Sequence, residues 1–589
     1  GVVSAGRKQA ETPDRWFTEI TEQSGVDYYH RSSDWLSRQM RSYLQKDNST
    51  GVITIPPAFG GAGIATADFD NDGFDDLLVL GGLGNKLFRN TGNGRFEDKT
   101  KVSGVGWIRP DGTPGEPRQP LAADLDNDGD QDILITYVND QHRVYRNEGN
   151  WQFTDVTGES ALGGTGLVGG PATLLDIDND GLLDLYLTYF GNYLEGVLPT
   201  LARRNDNGSP NQLFRNIGNF RFENITESSG VGDNGWAQTA GHADFDGDGL
   251  QDLFSGNDFG INRFYRNNGD STFTDLGQTL GARKPSYTMG LTLSDLNQDG
   301  QVDFYVSNIV TMNKDQKYVL PSADSPMVLD PETLANQRVV EANDLFLSRR
   351  SDARVTYHLS DAVGRGYSST GWSWGSEFFD PDLDGDDDLF VLNGMNEYLL
   401  YSPENPYYLD PDGEAKDVIL PSGVRESNVF FLNENGKLQN RSRQSGLNFS
   451  GNSRALIYID LEGDGDLDLV TLDYHGPLRI FSNTLSQRFG AAGSRLKRNF
   501  QVSLTGSPEK RVNLDAIGSQ VFLNLADGRR LWRQLSSTSG YMAVPPKTLY
   551  FGLGDSYPTA LEIHWPNGRR QTIELTREQR VVSETYDAS

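Results

Sequence analysis

The sequence predicts an all-β protein: a seven-bladed β-propeller over residues 14–489, then a small C-terminal β-sandwich domain over 490–589. Three observations predict it. One acidic pattern recurs seven times, strand-like segments surround each copy in a fixed order, and the two ends of the repeat region are complementary fragments of one unit.

The repeat reads D-x-D-x-D-G-x-x-D and runs into an apolar stretch. Copies begin at Asp68, Asp124, Asp176, Asp244, Asp295, Asp380 and Asp460, at intervals of 51 to 85 residues. A small or apolar run precedes each copy, such as GIATA or ALIYI. Beyond the apolar stretch come KLFRN, RVYRN, QLFRN, RFYRN, DLFLS, VFFLN and RIFSN, then in most units a Gly/Asn turn and a last segment such as RFEDKT. Asn93-Gly94 and Asn435-Gly436 suit two-residue hairpins, whose central positions need positive φ. Each unit therefore reads as four short antiparallel strands, with the acidic loop joining the first to the second. Radial closure leaves few exposed sheet edges, so seven such units predict a propeller.

The seventh unit stops after RIFSN, and the missing segment stands at the other end, as Trp16-Phe17-Thr18-Glu19-Ile20-Thr21. Residues 14–21 are therefore expected to complete the last blade. Residues 1–13 are left as a tail, expected either to dock on its own C-terminal domain or to pair with another copy of the chain. Between 499 and 577, FQVSL, QVFLNL, LEIHW and QTIEL alternate with Asn/Asp-Gly turns, which predicts the sandwich packed on the propeller.

Composition narrows the function. The 589 residues include 52 basic and 82 acidic side chains, a net charge of −30, and no cysteine. Disulfides, thiolate metal sites and cysteine nucleophiles are excluded. Six histidines without HExxH spacing argue against a zinc hydrolase. The acidic surface opposes nucleic-acid binding, and no apolar run reaches the ~20 residues that span a bilayer.

The acidic loops set carboxylates at positions 1, 3, 5 and 9, a turn glycine at 6 and a backbone carbonyl at 7, which suits a hard cation taking six to eight oxygens. The expected ligands are Asp68, Asp70, Asp72 and Asp76 with the Phe74 carbonyl in the first loop, and Asp124, Asp126, Asp128 and Asp132 with Asp130 in the second. The third has Asp176, Asp178, Asp180 and Asp184 with Leu182; the fourth has Asp244, Asp246, Asp248 and Asp252 with Leu250. The fifth has Asp295, Asn297, Asp299 and Asp303 with Gln301. The sixth has Asp380, Asp382, Asp384 and Asp388 with Asp386, and the seventh Asp460, Glu462, Asp464 and Asp468 with Asp466.

These positions hold 27 of the 82 acids, four in each loop less Asn297. Without a cation such clusters would repel strongly in a partly desolvated turn. Seven divalent ions would bring the formal charge from −30 to about −16. An EF-hand would need Glu at position 12, where the first loop has Val79. Calcium is the expected ion at about seven sites, weaker where Asn297 and Glu462 replace Asp. Magnesium is the runner-up, and metal-free Asp/Gly turns are the plain alternative.

These loops with their following strands resemble the FG-GAP (VCBS-like) repeats of integrin-type calcium propellers, over roughly residues 14–489. Beyond them, Asn513-Leu-Asp-Ala-Ile-Gly-Ser-Gln, Ser539-Gly-Tyr, Phe551-Gly-Leu-Gly and Trp565-Pro-Asn-Gly resemble the ASPIC/UnbV domain. The pairing resembles bacterial secreted proteins similar to cartilage acidic protein. It implies calcium binding and a secreted, extracellular or cell-surface place.

Counting back eight and six residues from each loop marks the start of the first strand, on the face opposite the loops. Arg118, Trp236, Gln238, Tyr287, Trp372, Trp374 and Arg454 fall there. They either line a mouth for an acidic sugar or peptide, or pack blades together. The longest insertions, 190–210, 311–342 and 395–426, are placed on the same face. No Ser/His/Asp set can be singled out as catalytic, and His242 reads as structural. The expected function is extracellular binding, adhesion or assembly, with fibre formation through the tail as one form. The partner would be an extracellular protein, a glycan or another copy. A calcium-dependent enzyme or carbohydrate-binding protein is the alternative.

Overall fold

The computed structural model describes residues 15–33, 61–197, 199, 204–309, 343–351, 354–360, 370, 372–394, 426–484 and 498–587. The N-terminal tail and the insertions 311–342 and 395–425 lie outside the described residues.

Seven antiparallel sheets repeat one arrangement. In the first blade Ile64–Ala67 pairs with Asp76–Val79, that strand with Lys86–Asn90, and that one with Phe96–Asp98. The acidic loop bridges the first two strands. The first strands are buried almost throughout, as in Gly169–Leu175 and Ala237–Ala243, because each lies against the next around the axis. Small residues make that approach possible: a Cβ on Gly290 would stand 2.7 Å from the Trp374 carbonyl oxygen of the neighbouring blade. Ile64–Ala67 packs against both Glu116–Ala123 and Ser453–Ile459, so the ring of seven first strands is closed.

The last blade takes its outer strand from the other end of the chain. Phe17–Glu19 pairs antiparallel with Leu478–Asn483, Phe17 opposite Asn483 and Glu19 opposite Phe481. Phe17 is buried against Phe379 and Phe430. Between blades the core is aromatic and aliphatic, with Phe245, Phe264, Phe304 and Tyr357 in mutual contact.

The C-terminal region packs a three-stranded sheet (Leu549–Gly552, Asn499–Thr505, Val581–Thr585) on a four-stranded one (Arg530–Gln534, Gln520–Leu525, Pro558–His564, Arg570–Glu574). Phe500, Val502, Val521, Leu523, Phe551 and Trp565 fill the space between them. Residues 537–547 leave this body and enter the propeller axis. There Ala543–Val544 runs parallel to Ile64–Ala67, and the Thr66 hydroxyl donates to the Val544 carbonyl at 2.9 Å.

Candidate metal centres

The loop geometry follows from backbone conformation. Position 6 is Gly at φ between 83° and 100°, from Gly300 to Gly129. Position 4 is also left-handed, at Asn71, Asn127, Asn179, Gly247, Gln298, Leu383 and Gly463. Asn and Gly are favoured there because they tolerate positive φ. The sequence carries that signal as Asn or Gly at position 4 of five of the seven loops.

The carboxylates then fold the loop on itself. Asp68 accepts the Asp72 and Gly73 amides at 3.0 and 2.8 Å, and the pattern repeats at Asp124, Asp176, Asp295, Asp380 and Asp460. Position 9 opens the second strand in every blade. In the first, Asp76 accepts the Phe69 amide at 2.9 Å and the Asn90 amide at 2.8 Å. In the sixth blade position 2 is Pro381, which has no N–H, and the matching oxygen of Asp388 accepts nothing.

Three carboxylates come within 4.8 Å of one another in five loops: Asp68/Asp70/Asp76, Asp124/Asp126/Asp132, Asp176/Asp178/Asp184, Asp244/Asp246/Asp248 and Asp380/Asp382/Asp384. Among the described residues the fifth and seventh loops form no such group. Those are the loops where Asn297 and Glu462 stand at position 3.

Position 3 decides whether a cation fits. One oxygen of Asp70, Asp126, Asp178 and Asp382 is buried and accepts no hydrogen bond. Buried acceptors are nearly always satisfied, so the same orphan in four loops fits a ligand set for a cation. Burial pushes the Asp76 carboxyl up to about 9 and that of Asp132 up to about 8, and their acidic neighbours add to the rise. Burial does the same to Asp124 and Asp176, each up to about 7. Protein cations answer part of this charge: Arg89 pairs with Asp70 and Asp72, and Arg266 with Asp246 and Asp248, all at 2.8 Å.

The loops also carry the C-terminal body. Asp515 accepts the Asp124 amide and Gln131 Nε2, both at 2.8 Å, and the Leu514 amide donates to Asn127 Oδ1 at 3.0 Å. Arg511 donates to the Asn179 carbonyl at 2.8 Å, Arg529 to the Asp384 carbonyl at 2.6 Å, and Arg533 pairs with Asp387 at 2.7 Å.

On the opposite face the arginine and aromatic residues fall into two groups. Arg118 donates to Gln238 at 2.7 Å, and Arg454 lies 3.8 Å over the Trp374 ring. Tyr541 of the axial segment packs on Trp374 at 5.3 Å, and both arginines act electrostatically on its hydroxyl. Trp236 and Tyr287 instead gather around Phe259, with Trp236 Nε1 donating to Asn207 at 2.8 Å. Arg118, Trp236, Gln238, Tyr287, Trp374 and Arg454 are all buried, and Trp372, partly exposed, bridges to Ile309. His242 is also buried, between Gln251 and the Ser537 amide.

Comparison with known proteins places these features among relatives. An FG-GAP-like repeat model matches residues 68–135, 124–187 and 244–306, and an ASPIC and UnbV model matches 509–588. The chain is 22% identical to human cartilage acidic protein 1 over 94% of this chain and 74% of that protein. It is 23% identical to the Xenopus tropicalis protein of the same name, over 86% and 70%. A solved structure of an Agrocybe aegerita lectin specific for non-reducing terminal N-acetylglucosamine aligns at 16% identity, over 72% of this chain and 94% of that one, with a TM-score of 0.39. No helix among the described residues is long and apolar enough to cross a membrane.

Proposed function

For a chain of FG-GAP-like repeats followed by an ASPIC and UnbV segment, we propose an extracellular propeller stabilised by calcium, acting as a binding, adhesive or assembly protein. One observation carries the metal reading: the buried, unpartnered oxygen at position 3 of four separate loops. Calcium suits a loop offering many oxygens in flexible geometry, whereas magnesium demands a tighter octahedron and keeps its water. Bound there, the ion neutralises each cluster and ties the loop to the second strand.

Seven sites are proposed. The five loops with grouped carboxylates would fill first, and those with Asn297 and Glu462 last. Extracellular calcium modules bind at about 10⁻⁴–10⁻³ M. Dependence on such weak sites suits a protein working where calcium is plentiful. Relatives named for cartilage and acidity support the same setting, as does the charge of −30. The partner is an extracellular protein or glycan, or a second copy reached through residues 1–13.

The test is thermal melting of purified protein with calcium and with excess chelator. At ten times Kd each site adds about 1.4 kcal/mol by mass action, so chelation lowers the melting temperature markedly. An unchanged melting curve contradicts the calcium reading. Sedimentation of the calcium-loaded chain with and without residues 1–13 tests the self-association arm.

A further inference from the structure

The strand-end residues that recur as FRN, YRN and FSN bridge neighbouring blades. In each case the backbone N–H serves the blade's own loop while the side chain reaches the loop next door. The Asn147 amide donates to Asp132 of the second loop at 2.9 Å, and its Nδ2 donates to the Phe69 carbonyl of the first loop at 3.0 Å. Phe69 in turn donates its own N–H to Asp76 at 2.9 Å. Asn216 reaches Leu125 at 3.1 Å, Asn267 reaches Ile177 at 2.9 Å, and Asn483 reaches Pro381 at 2.8 Å. Asn90 reaches Leu461 at 3.1 Å and so joins the first blade to the last. All five asparagines are buried, where a polar bond is costly to lose.

The carbonyl that each one grips belongs to position 2, between the ligands proposed at positions 1 and 3. The N–H of the same asparagine holds the ninth-position carboxylate of its own loop. One residue therefore touches two adjoining loops, by its backbone N–H and its side-chain amide, at the points where an ion would fix them. We propose that Asn90, Asn147, Asn216, Asn267 and Asn483 are positioning residues that couple neighbouring metal sites, so that ions fill the ring cooperatively. The proposal rests on the calcium reading above and adds to it a communication route.

Two departures sharpen the argument. In the fifth blade the position is Ser348, too short to cross, and Tyr357 takes over by donating its hydroxyl to the Phe245 carbonyl at 3.0 Å. Phe245 is position 2 of the fourth loop. In the sixth blade the Asn433 side chain donates only to the Asp387 carbonyl of its own loop at 3.2 Å, a bond that Asn147, Asn216 and Asn267 make beside the crossing one. Among the described residues the clasp is missing at that junction, and the coupled ring is an open arc.

The test is Asn147→Ser, which keeps the backbone donor to Asp132 and removes the crossing amide, with Asn433→Ser as the internal control. Calcium titration of the chelated 589-residue chain, followed by equilibrium dialysis, reads both the number of ions and the steepness of filling. Coupling between sites is typically worth 5–150-fold in affinity. Asn147→Ser is expected to weaken the affected sites at least about five-fold and flatten the curve at unchanged final stoichiometry, while Asn433→Ser retains the parent's steepness. Should Asn147→Ser not fold, Asn216→Ser makes the same test at the next junction. Parent-like curves for Asn147→Ser overturn the coupling and leave calcium binding standing, as does equal flattening in Asn433→Ser. A parent chain that takes up no calcium overturns both readings together.

Discussion

Gly540 and Leu291 exchange both backbone hydrogen bonds: Gly540 N–H reaches the Leu291 carbonyl at 2.7 Å, and Leu291 N–H the Gly540 carbonyl at 3.1 Å. A residue from the C-terminal region thus pairs with the first strand of the fifth blade. The same segment touches other blades, with Ser537 donating to or accepting from Thr173, Thr538 reaching Ala240, and Lys547 reaching the Ala122 carbonyl. A segment of the chain's own polypeptide therefore lies among the first strands at the propeller axis.

Gly540 sits at φ +57°, and a Cβ there would lie 2.7 Å from the Ser376 carbonyl oxygen. Gly540→Val should therefore lower stability by more than the roughly 1–2 kcal/mol that left-handed backbone costs an L-residue. Urea unfolding monitored by tryptophan fluorescence checks this. A midpoint equal to the parent's would show that the axial segment adds nothing to the core.

The outer strand of the last blade gives a second prediction. Phe17 is 1% exposed and packs on two aromatic rings of the neighbouring blade. Truncating a buried Phe to Ala typically costs about 3–5 kcal/mol. Phe17→Ala should lose close to that range in equilibrium unfolding. A loss below 1 kcal/mol would mean that the strand is dispensable.

The chelated protein should respond to pH in an unusual direction. Asp76, Asp132, Asp124 and Asp176 have folded pKa values raised to between about 7 and about 9. A raised carboxyl favours the protonated folded state, so its contribution is complete below the ordinary value near 4 and is lost as pH climbs through the folded value. In chelator the melting temperature should fall between pH 5 and pH 9, and saturating calcium should remove most of that fall. Equal melting at both pH values in chelator would contradict the assignment.

Ion removal should also loosen the contact between the two domains, because the C-terminal body rests on the loops. The Asp124 and Leu514 amides donate across that contact. Hydrogen exchange at both should quicken on chelation, while amides in the sandwich core, such as Val521, stay protected. Uniform exchange with and without chelator would uncouple the contact from the ions.

The fold class was legible because each blade repeats its own local chemistry: a turn glycine, an alternating strand and a hairpin dipeptide recur in register. The axial segment was not legible. Ser539-Gly-Tyr carries no periodicity, and its pairing with Leu291 lies about 250 residues away in sequence. Counting back from the loops placed Arg118, Gln238, Trp374 and Arg454 at equivalent strand starts, but spacing alone cannot say that Tyr541 stands among them. The inter-blade asparagines were visible as a recurring letter. Their role needed the neighbouring loop, which no single repeat contains.

The most direct test is the number of calcium ions bound per chain, measured by equilibrium dialysis with atomic emission on protein first stripped by chelator. The account predicts five ions held as the loops with grouped carboxylates fill, rising toward seven at millimolar calcium, with Asp70→Asn and Asp126→Asn each removing about one. Less than one ion per chain at millimolar calcium would contradict it.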